Sequence, residues 1–157
     1  MTREEKFMME AIALSNKAID NYEGGPFGCI VVKNNVIIGQ GHNKVLAEND
    51  PTSHAEIVAI RDACHTLGTY QLDGCEIYSS CEPCPMCLGA IYWARPKIVF
   101  YANSRYDAAS IGFDDSMIYE EMGIDHDSRK IPVINLCRKD AFAVFERWVD
   151  RQDKTLY

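Results

Sequence analysis

Residues 75–102 read CEIYSSCEPCPMCLGAIYWARPKIVFYA, and this stretch decides the fold class. CEIYSS and KIVFYA are short β-rich runs, whereas PMCLGAIYWA between them has the length and composition of a short helix. The order of elements is therefore strand, helix, strand.

A hairpin precedes this stretch. FGCIVVK at 27–33 and VIIGQGHN at 36–43 are β-rich runs, and Asn34-Asn35 between them is typical of a tight hairpin turn. A hairpin followed by strands that alternate with helices predicts a mixed sheet with helices on both faces. We therefore expect an α/β fold, a three-layer α/β/α sandwich.

The remaining elements are predicted from periodicity. IPVINL at 131–136 predicts a fifth strand in the mixed sheet, whereas residues 106–122 are compatible with helical or extended structure. Apolar residues at helical spacing predict three more helices. These lie over 3–22, from Pro51 to Gly68, and from about Asp140 onward.

Length and composition indicate one globular domain. The chain has 157 residues, of which 47% are hydrophobic and 25% charged, enough to bury one core. We expect a single domain over 1–157, with a C-terminal helix and tail at 139–157.

The net charge of -7 opposes binding to nucleic acid. The odd cysteine count and the lack of an apolar signal or membrane-spanning segment predict a cytoplasmic protein with reduced thiols.

Two short motifs carry ligands that suit zinc. They are His54-Ala55-Glu56 and, further along, Pro83-Cys84-Pro85-Met86-Cys87. Imidazole and thiolate groups bind Zn²⁺ well, and three protein ligands leave a fourth tetrahedral position for water. His54, Cys84 and Cys87 therefore predict a catalytic rather than a structural zinc site.

Local geometry supports this interpretation. Cys84 and Cys87 stand at a predicted helix start with Pro85 at the first helical position, so both thiols share one face of the first turn. His54 and Glu56 are two residues apart, a spacing that faces opposite sides of a regular helix. The pair must straddle a helix start, which lets His54 bind metal while Glu56 addresses the bound water.

Each motif has a competing explanation. Ser53 and Glu56 satisfy the S-x-x-E capping box, so Glu56 could cap a helix instead of acting in catalysis. Cys81 extends the second motif to C-x2-C-x2-C, the start of an iron–sulfur run, but Ile91 stands where the next cysteine is required. Cys81 or His42 could also complete a structural zinc site in a non-catalytic binding module.

The combination is more specific than its parts, because H-x-E followed by P-C-x-x-C is the signature of zinc-dependent nucleobase deaminases. The chain resembles the cytidine-deaminase superfamily and, within it, its short bacterial purine-specific members. The resemblance is carried by four stretches: GGPFG at 24–28, NDPTSHAEIVAIR at 49–61, SCEPCPMCLGAIYWARPK at 80–97 and GFDDS at 112–116.

The resemblance implies one Zn²⁺ per chain, held by His54, Cys84 and Cys87, with Glu56 as the proton shuttle. It further implies that Asn43 and the backbone of Ala55 hold a purine. Phe27 would then lie against the purine ring. For Phe27 core packing, and for Asn43 a strand-end cap, remain open alternatives.

The implied reaction is hydrolysis of guanine to xanthine and ammonia, with tRNA adenosine or cytosine as alternative substrates. Guanine presents N–H donors that a carboxylate accepts, so Asp115, or alternatively Asp114, is predicted to bind substrate or transfer a proton. The resemblance also implies a homodimer whose exchanged C-terminal segment places Tyr157 on the partner's substrate. The other prediction for this segment is a disordered end.

Overall fold

The computed structural model describes residues 1–157 and divides them into two compact units, Met1–Asp115 and Ser116–Tyr157. The first unit contains helices and strands in the order α1 (Arg3–Asp20), β1 (Gly28–Lys33), β2 (Val36–His42), α2 (Val45–Glu48), α3 (Ala55–Leu67), β3 (Glu76–Cys81), α4 (Pro85–Ala94), β4 (Ile98–Asn103) and α5 (Arg105–Ser110). The second contains α6 (Ser116–Met122), a 3-10 turn (His126–Ser128) and α7 (Arg138–Asp150).

The sheet has four strands in the order β2-β1-β3-β4. β1 pairs antiparallel with β2 and β3, whereas β3 and β4 are parallel, so the sheet is mixed as the sequence predicts. Asn34 and Asn35 both have positive φ angles, of 50° and 65°, as a tight hairpin turn requires.

The predicted fifth strand is wrong. Residues 131–136 form no strand, and the N–H of Val133 donates to the carbonyl of His126, 3.0 Å away, rather than to a neighbouring strand. Alternating apolar residues favour a strand only where a ladder partner is present, because β-propensity depends on context. The stretch 106–122, open between helix and strand, is mostly helical in α5 and α6.

Helices cover both faces of the sheet. On one face α1 places Ala11 against Ile30, Val32 and Tyr78. On the other, residues of α3 and α4 pack against Cys29 and neighbouring strand residues. The sandwich therefore has three layers within the first unit, and its core lies on both sides of β1.

Small residues set the spacing between α3 and β2. A Cβ added at Gly41 would lie 2.5 Å from the carbonyl oxygen of Ala55, and one at Gly39 2.6 Å from that of Ala59. α3 ends at Gly68, which has a φ of 64°, as the sequence predicts. This close approach brings the start of α3 beside the end of β2.

The second unit has no buried residues in its helices. α7 spans most of the predicted C-terminal helix. Its exposed large apolar side chains are those of Phe142, Val144, Phe145, Trp148 and Val149. No helix in either unit is long and apolar enough to cross a membrane. The single domain over 1–157 remains a prediction.

Candidate metal centre

The three predicted ligands converge at the starts of two helices. His54 is the N-cap of α3, Cys84 is the N-cap of α4, and Cys87 lies in the first turn of α4. The ligand atoms of these residues all lie within 4.8 Å of one another. Residues that are 30 or more positions apart in the sequence therefore share one site.

The distances fit a tetrahedral zinc site. His54 Nδ1 lies 3.5 Å from the sulfur of Cys84 and 3.6 Å from that of Cys87. With zinc about 2.3 Å from sulfur and about 2.0 Å from nitrogen, the S···N edge of a tetrahedron is about 3.5 Å. The Nδ1 atom is thus the histidine ligand that this arrangement offers.

The electrostatics of the site favour a thiolate. A hydrogen bond with the Cys87 thiol and one with His54 together lower the pKa of Cys84 to about 4, and the pKa of Cys87 is raised. The Cys84 sulfur in turn raises the pKa of His54. Pro85 occupies the first helical position, and the positive end of the helix dipole also favours anionic sulfur.

Glu56 lies beside the three ligands in the first turn of α3. Only 6% of it is exposed, and burial raises the pKa of its carboxyl group. The hydroxyl of Ser79, on β3, donates to Glu56 Oε1 over 3.1 Å. Because His54 has extended backbone angles before the helix begins, the two residues straddle the helix start as the sequence predicts.

The capping-box explanation for Glu56 is wrong. The N-cap of α3 is His54 rather than Ser53, and no side chain caps the helix. The Ser53 hydroxyl instead donates to the carboxylates of Glu48 and Asp50. The carboxyl group of Glu56 instead hydrogen-bonds to its own backbone N–H and to the side chains of Cys87 and Ser79, so it lies against one of the three ligands.

The structural zinc alternative lacks a fourth ligand. Neither Cys81 nor His42 belongs to the ligand cluster. The Cys81 thiol donates to the carbonyl of Ser104 over 3.7 Å, and His42 Nε2 pairs with Glu23. A site with three protein ligands keeps one tetrahedral position open, as catalytic zinc sites do.

Three predicted substrate residues of the first unit lie directly before β1, directly after β2 and at the start of α3. Asn43 follows β2, is 4% exposed, and accepts from the N–H of Val45, so it caps the next turn in addition to any role toward substrate. Ala55 begins α3, where backbone N–H groups lack intrahelical acceptors. Phe27 packs against the core and meets Phe113 edge to face, with ring centroids 5.0 Å apart.

Three further predicted residues differ in their surroundings. The pKa of Asp115 is raised by partial burial and by the charge of the Cys84 sulfur, so its carboxyl lies within electrostatic range of that ligand. Asp114 is exposed. Tyr157 belongs to the second unit and is 70% exposed.

Sequence reasoning missed Ser79 and Phe113. Ser79 lies in CEIYSS, where an inward hydroxyl on a buried strand was the only signal of a polar partner. Phe113 stands in GFDDS beside two carboxylates, and no periodicity marks its ring as a partner of Phe27. Their roles depend on contacts with residues far away in the chain.

Comparisons with known proteins agree with this geometry. The family model of the cytidine and deoxycytidylate deaminase zinc-binding region matches residues 1–103. Guanine deaminase of Bacillus subtilis is 50% identical over 153 residues, 98% of each chain, and its X-ray structure superposes with a TM-score of 0.95. A guanine deaminase structure from Nitrosomonas europaea is 31% identical, with a TM-score of 0.66 over 90% of this chain and 82% of its own.

A tRNA-specific adenosine deaminase of Bacillus subtilis is also similar, but over less of the chain. It is 43% identical over 103 residues, which is 65% of this chain and 63% of its own. The resemblance inferred from the sequence motifs is thereby confirmed. The chain belongs to the cytidine and deoxycytidylate deaminase zinc-binding family.

Proposed function

We propose that this protein hydrolyses guanine to xanthine and ammonia with one zinc ion per chain. The observation that carries the proposal is the ligand cluster of His54, Cys84 and Cys87 beside the buried carboxyl group of Glu56. The similarity to Bacillus subtilis guanine deaminase over 98% of both chains supports guanine as the substrate.

Zinc held by these three residues would supply a coordinated water whose pKa is low enough for it to serve as a nucleophile at neutral pH. The open fourth position is where that water would lie. Cys84 and Cys87 contribute negative charge to the site, and His54 is directed to it by the start of α3.

Glu56 moves the protons of the reaction. Its carboxylate accepts a proton as the water oxygen bonds to C2 of guanine, and passes it to a ring nitrogen. A second transfer protonates the amino group, the C2–N bond breaks, and ammonia leaves. Burial raises the pKa of Glu56 toward the working pH, which makes it effective both as acceptor and as donor.

Substrate recognition is assigned to residues around this centre. Asn43 and the backbone of Ala55 hydrogen-bond the purine, Phe27 lies against its ring, and Asp115 accepts from its N–H groups. The partly buried position of Asp115 favours it over the exposed Asp114.

Guanine is favoured over tRNA adenosine by two observations. The similar tRNA deaminase aligns with 65% of this chain, whereas the guanine deaminase extends over the C-terminal part as well. The net charge of -7 also opposes a substrate that must be held by its phosphates. Cytosine remains the alternative base with the same chemistry.

We also infer a homodimer in the cytoplasm in which each C-terminal unit covers the partner's site. The apolar side chains of α7 are exposed, and so are five large apolar residues of α4 and β4. Those five are Leu88, Tyr92, Trp93, Ile98 and Tyr101. Exposed apolar surface on this scale is typical of an interface, and exchange of an element that each monomer already has closes a dimer.

One assay tests the proposed reaction. Purified protein loaded with one equivalent of Zn²⁺ is incubated with guanine, adenine, cytosine, guanosine or tRNA, and ammonia is measured. We expect release from guanine at a rate well above that from the other four. Ammonia from adenosine in tRNA or from cytosine would select the corresponding alternative, and none from any would favour a non-catalytic zinc module.

A further inference from the structure

A second pair of polar side chains lies close to the substrate residues and takes no part in the chemistry described above. His42 ends β2, is 6% exposed, and its Nε2 pairs with the carboxylate of Glu23. That hydrogen bond and the positive charge of Lys44 keep the pKa of Glu23 below its usual value, so the carboxylate is ionised. A buried histidine with a charged partner is an ordered contact rather than a surface ion pair.

Glu23 connects three elements. Its N–H donates to the carbonyl of Ala18 at the end of α1, over 2.9 Å. Its own carbonyl accepts from the N–H groups of Leu46 and Ala47 in α2, at 3.0 and 3.1 Å. Its side chain reaches His42 in β2.

That segment bears Asn43. Residues on both sides of Asn43 are held: His42 by Glu23, and Lys44 through its N–H, which donates to the carbonyl of Ser53 over 3.0 Å. The Asn43 N–H donates to the carbonyl of Phe27, also over 3.0 Å. One set of contacts therefore joins Glu23 to two proposed substrate residues and to the residue before His54.

Gly24 lies so close to Asn43 that no side chain would fit at position 24. A Cβ added at Gly24 would lie 1.9 Å from Asn43 Oδ1 and 2.7 Å from its carbonyl oxygen. The glycine after Glu23 thus lies directly against the Asn43 side chain. A displacement of Glu23 would carry Gly24 with it and change the position of the amide.

We propose that Glu23 and His42 are a positioning pair that holds Asn43 and Phe27 in place for the purine. The proposal rests on the proposed function, because that function makes Asn43 and Phe27 substrate residues. The pair touches neither substrate nor metal, so its loss acts on binding more than on the chemical step. This distinguishes it from Glu56, whose loss acts on turnover.

The test compares substitutions of the pair with a matched control. Glu23→Ala removes the contact, Glu23→Gln keeps a hydrogen-bonding group of the same shape, and Gly24→Ala displaces Asn43 without altering the pair. Glu76→Gln is the control, since Glu76 forms an ion pair with Arg3 on the α1 side of the sheet. For each variant we measure KM and kcat for guanine, zinc content and melting temperature. The Kd of 8-azaguanine, a guanine analogue with the same 2-amino group, is measured in the Glu56→Ala background so that the ligand is not turned over.

We expect Glu23→Ala and Gly24→Ala to raise KM and the 8-azaguanine Kd about tenfold, because small displacements of positioning groups are costly, while zinc content stays unchanged. Glu23→Gln should restore most of the affinity. Glu76→Gln should lower the melting temperature and leave KM unchanged.

A Glu23→Ala variant that loses thermal stability like the control but keeps its KM and Kd would overturn the proposal, and the pair would then be structural only. If Glu23→Ala does not fold, His42→Gln, which removes the partner of Glu23, decides by the same criterion. If the wild-type protein deaminates another base, the guanine assignment is refuted independently of the pair. The effect of Glu23→Ala on the KM for that base then tests the positioning role.

Discussion

Large apolar side chains are buried in the core of the first unit and exposed in the second. In the first unit Ile30, Val31 and Ile77 are at most 1% exposed, whereas in the second Leu136 and Val149 are 81% and 65% exposed. Burial of apolar surface drives folding, so the first unit has a core of its own and the second does not. The three ligands all lie in the first unit, and the helices of the second unit contain no buried residue.

This comparison predicts that the two units have separate roles. Substitutions at the metal centre should abolish chemistry whatever the second unit does. Changes in the second unit should alter how well the site is closed over the substrate and should alter the oligomeric state. They should leave zinc bound. The predictions below test that division, beginning with the largest expected effect.

Replacement of Glu56 by Ala should reduce guanine turnover by roughly three or more powers of ten, because one carboxylate serves more than one proton transfer. The ligand cluster does not include Glu56, so zinc content, measured by atomic absorption, should remain at one per chain. Near-normal ammonia release from this variant would mean that proton transfer is carried by another group.

Replacement of Asp115, the last residue of the first unit, by Ala should reduce kcat/KM for guanine by about a hundredfold, since a carboxylate that pairs with substrate N–H groups is lost. Asp114→Ala is the matched control and should lose far less, because Asp114 is exposed. Equal losses in both variants, or a larger loss in Asp114→Ala, would reverse the assignment of the two carboxylates.

The sequence predicts local features of the first unit better than distant ones. The hairpin at Asn34 and Asn35 depends on two adjacent residues, and the ligands at Cys84 and Cys87 on one turn of helix, so both are visible as patterns. The pairing of Glu23 with His42 joins residues 19 positions apart that no motif links. Such contacts follow from tertiary packing and not from spacing.

The second unit is where sequence reasoning failed most clearly. The segment at 131–136 has the composition of a strand, yet it is not one, because composition does not supply a ladder partner. α7 was predictable because its apolar residues recur at helical spacing. The same spacing names no surface that would cover this apolar face.

Deletion of Leu156 and Tyr157 should lower guanine turnover by about ten- to a hundredfold, if Tyr157 closes the partner's site and excludes water. Zinc content and the melting temperature of the first unit should not change. Kinetics, metal analysis and sedimentation velocity on the truncated protein measure these quantities. A monomeric wild-type protein at working concentration would contradict the exchange.

Mixing two impaired proteins distinguishes an exchanged tail from a tail that covers the site of its own chain. The Glu56→Ala chain has an intact tail, and the truncated chain has an intact metal centre. In an exchanged dimer, a mixed pair places the intact tail over the intact centre, so activity should rise on refolding the two together. No recovery, in a mixture shown by mass spectrometry to contain mixed dimers, would contradict the exchange.

The smallest effect is expected at Glu76, in the first unit but away from the metal centre. Its carboxylate accepts from Arg3 Nη1 and from the hydroxyl of Tyr78, each over 2.8 Å, and the contact with Arg3 is the main reason that its pKa is lowered. Glu76→Gln should therefore lower the melting temperature by only a few degrees and leave guanine turnover unchanged.

The stability that Glu76→Gln removes should depend on pH in one definite direction. Because the pKa of Glu76 is lower in the folded protein than its usual value, its ion pair stabilises fully above the unfolded pKa of about 4.3. This stabilisation is lost as the pH falls through the folded pKa. Urea unfolding of wild type and Glu76→Gln should thus give a constant difference in the free energy of unfolding above about pH 5.5, and a shrinking one below about pH 4.3. Other carboxylates and the zinc ligands titrate in both proteins and cancel in this difference. A difference that grew on acidification would show that burial, rather than Arg3, dominates the free energy of the Glu76 carboxylate.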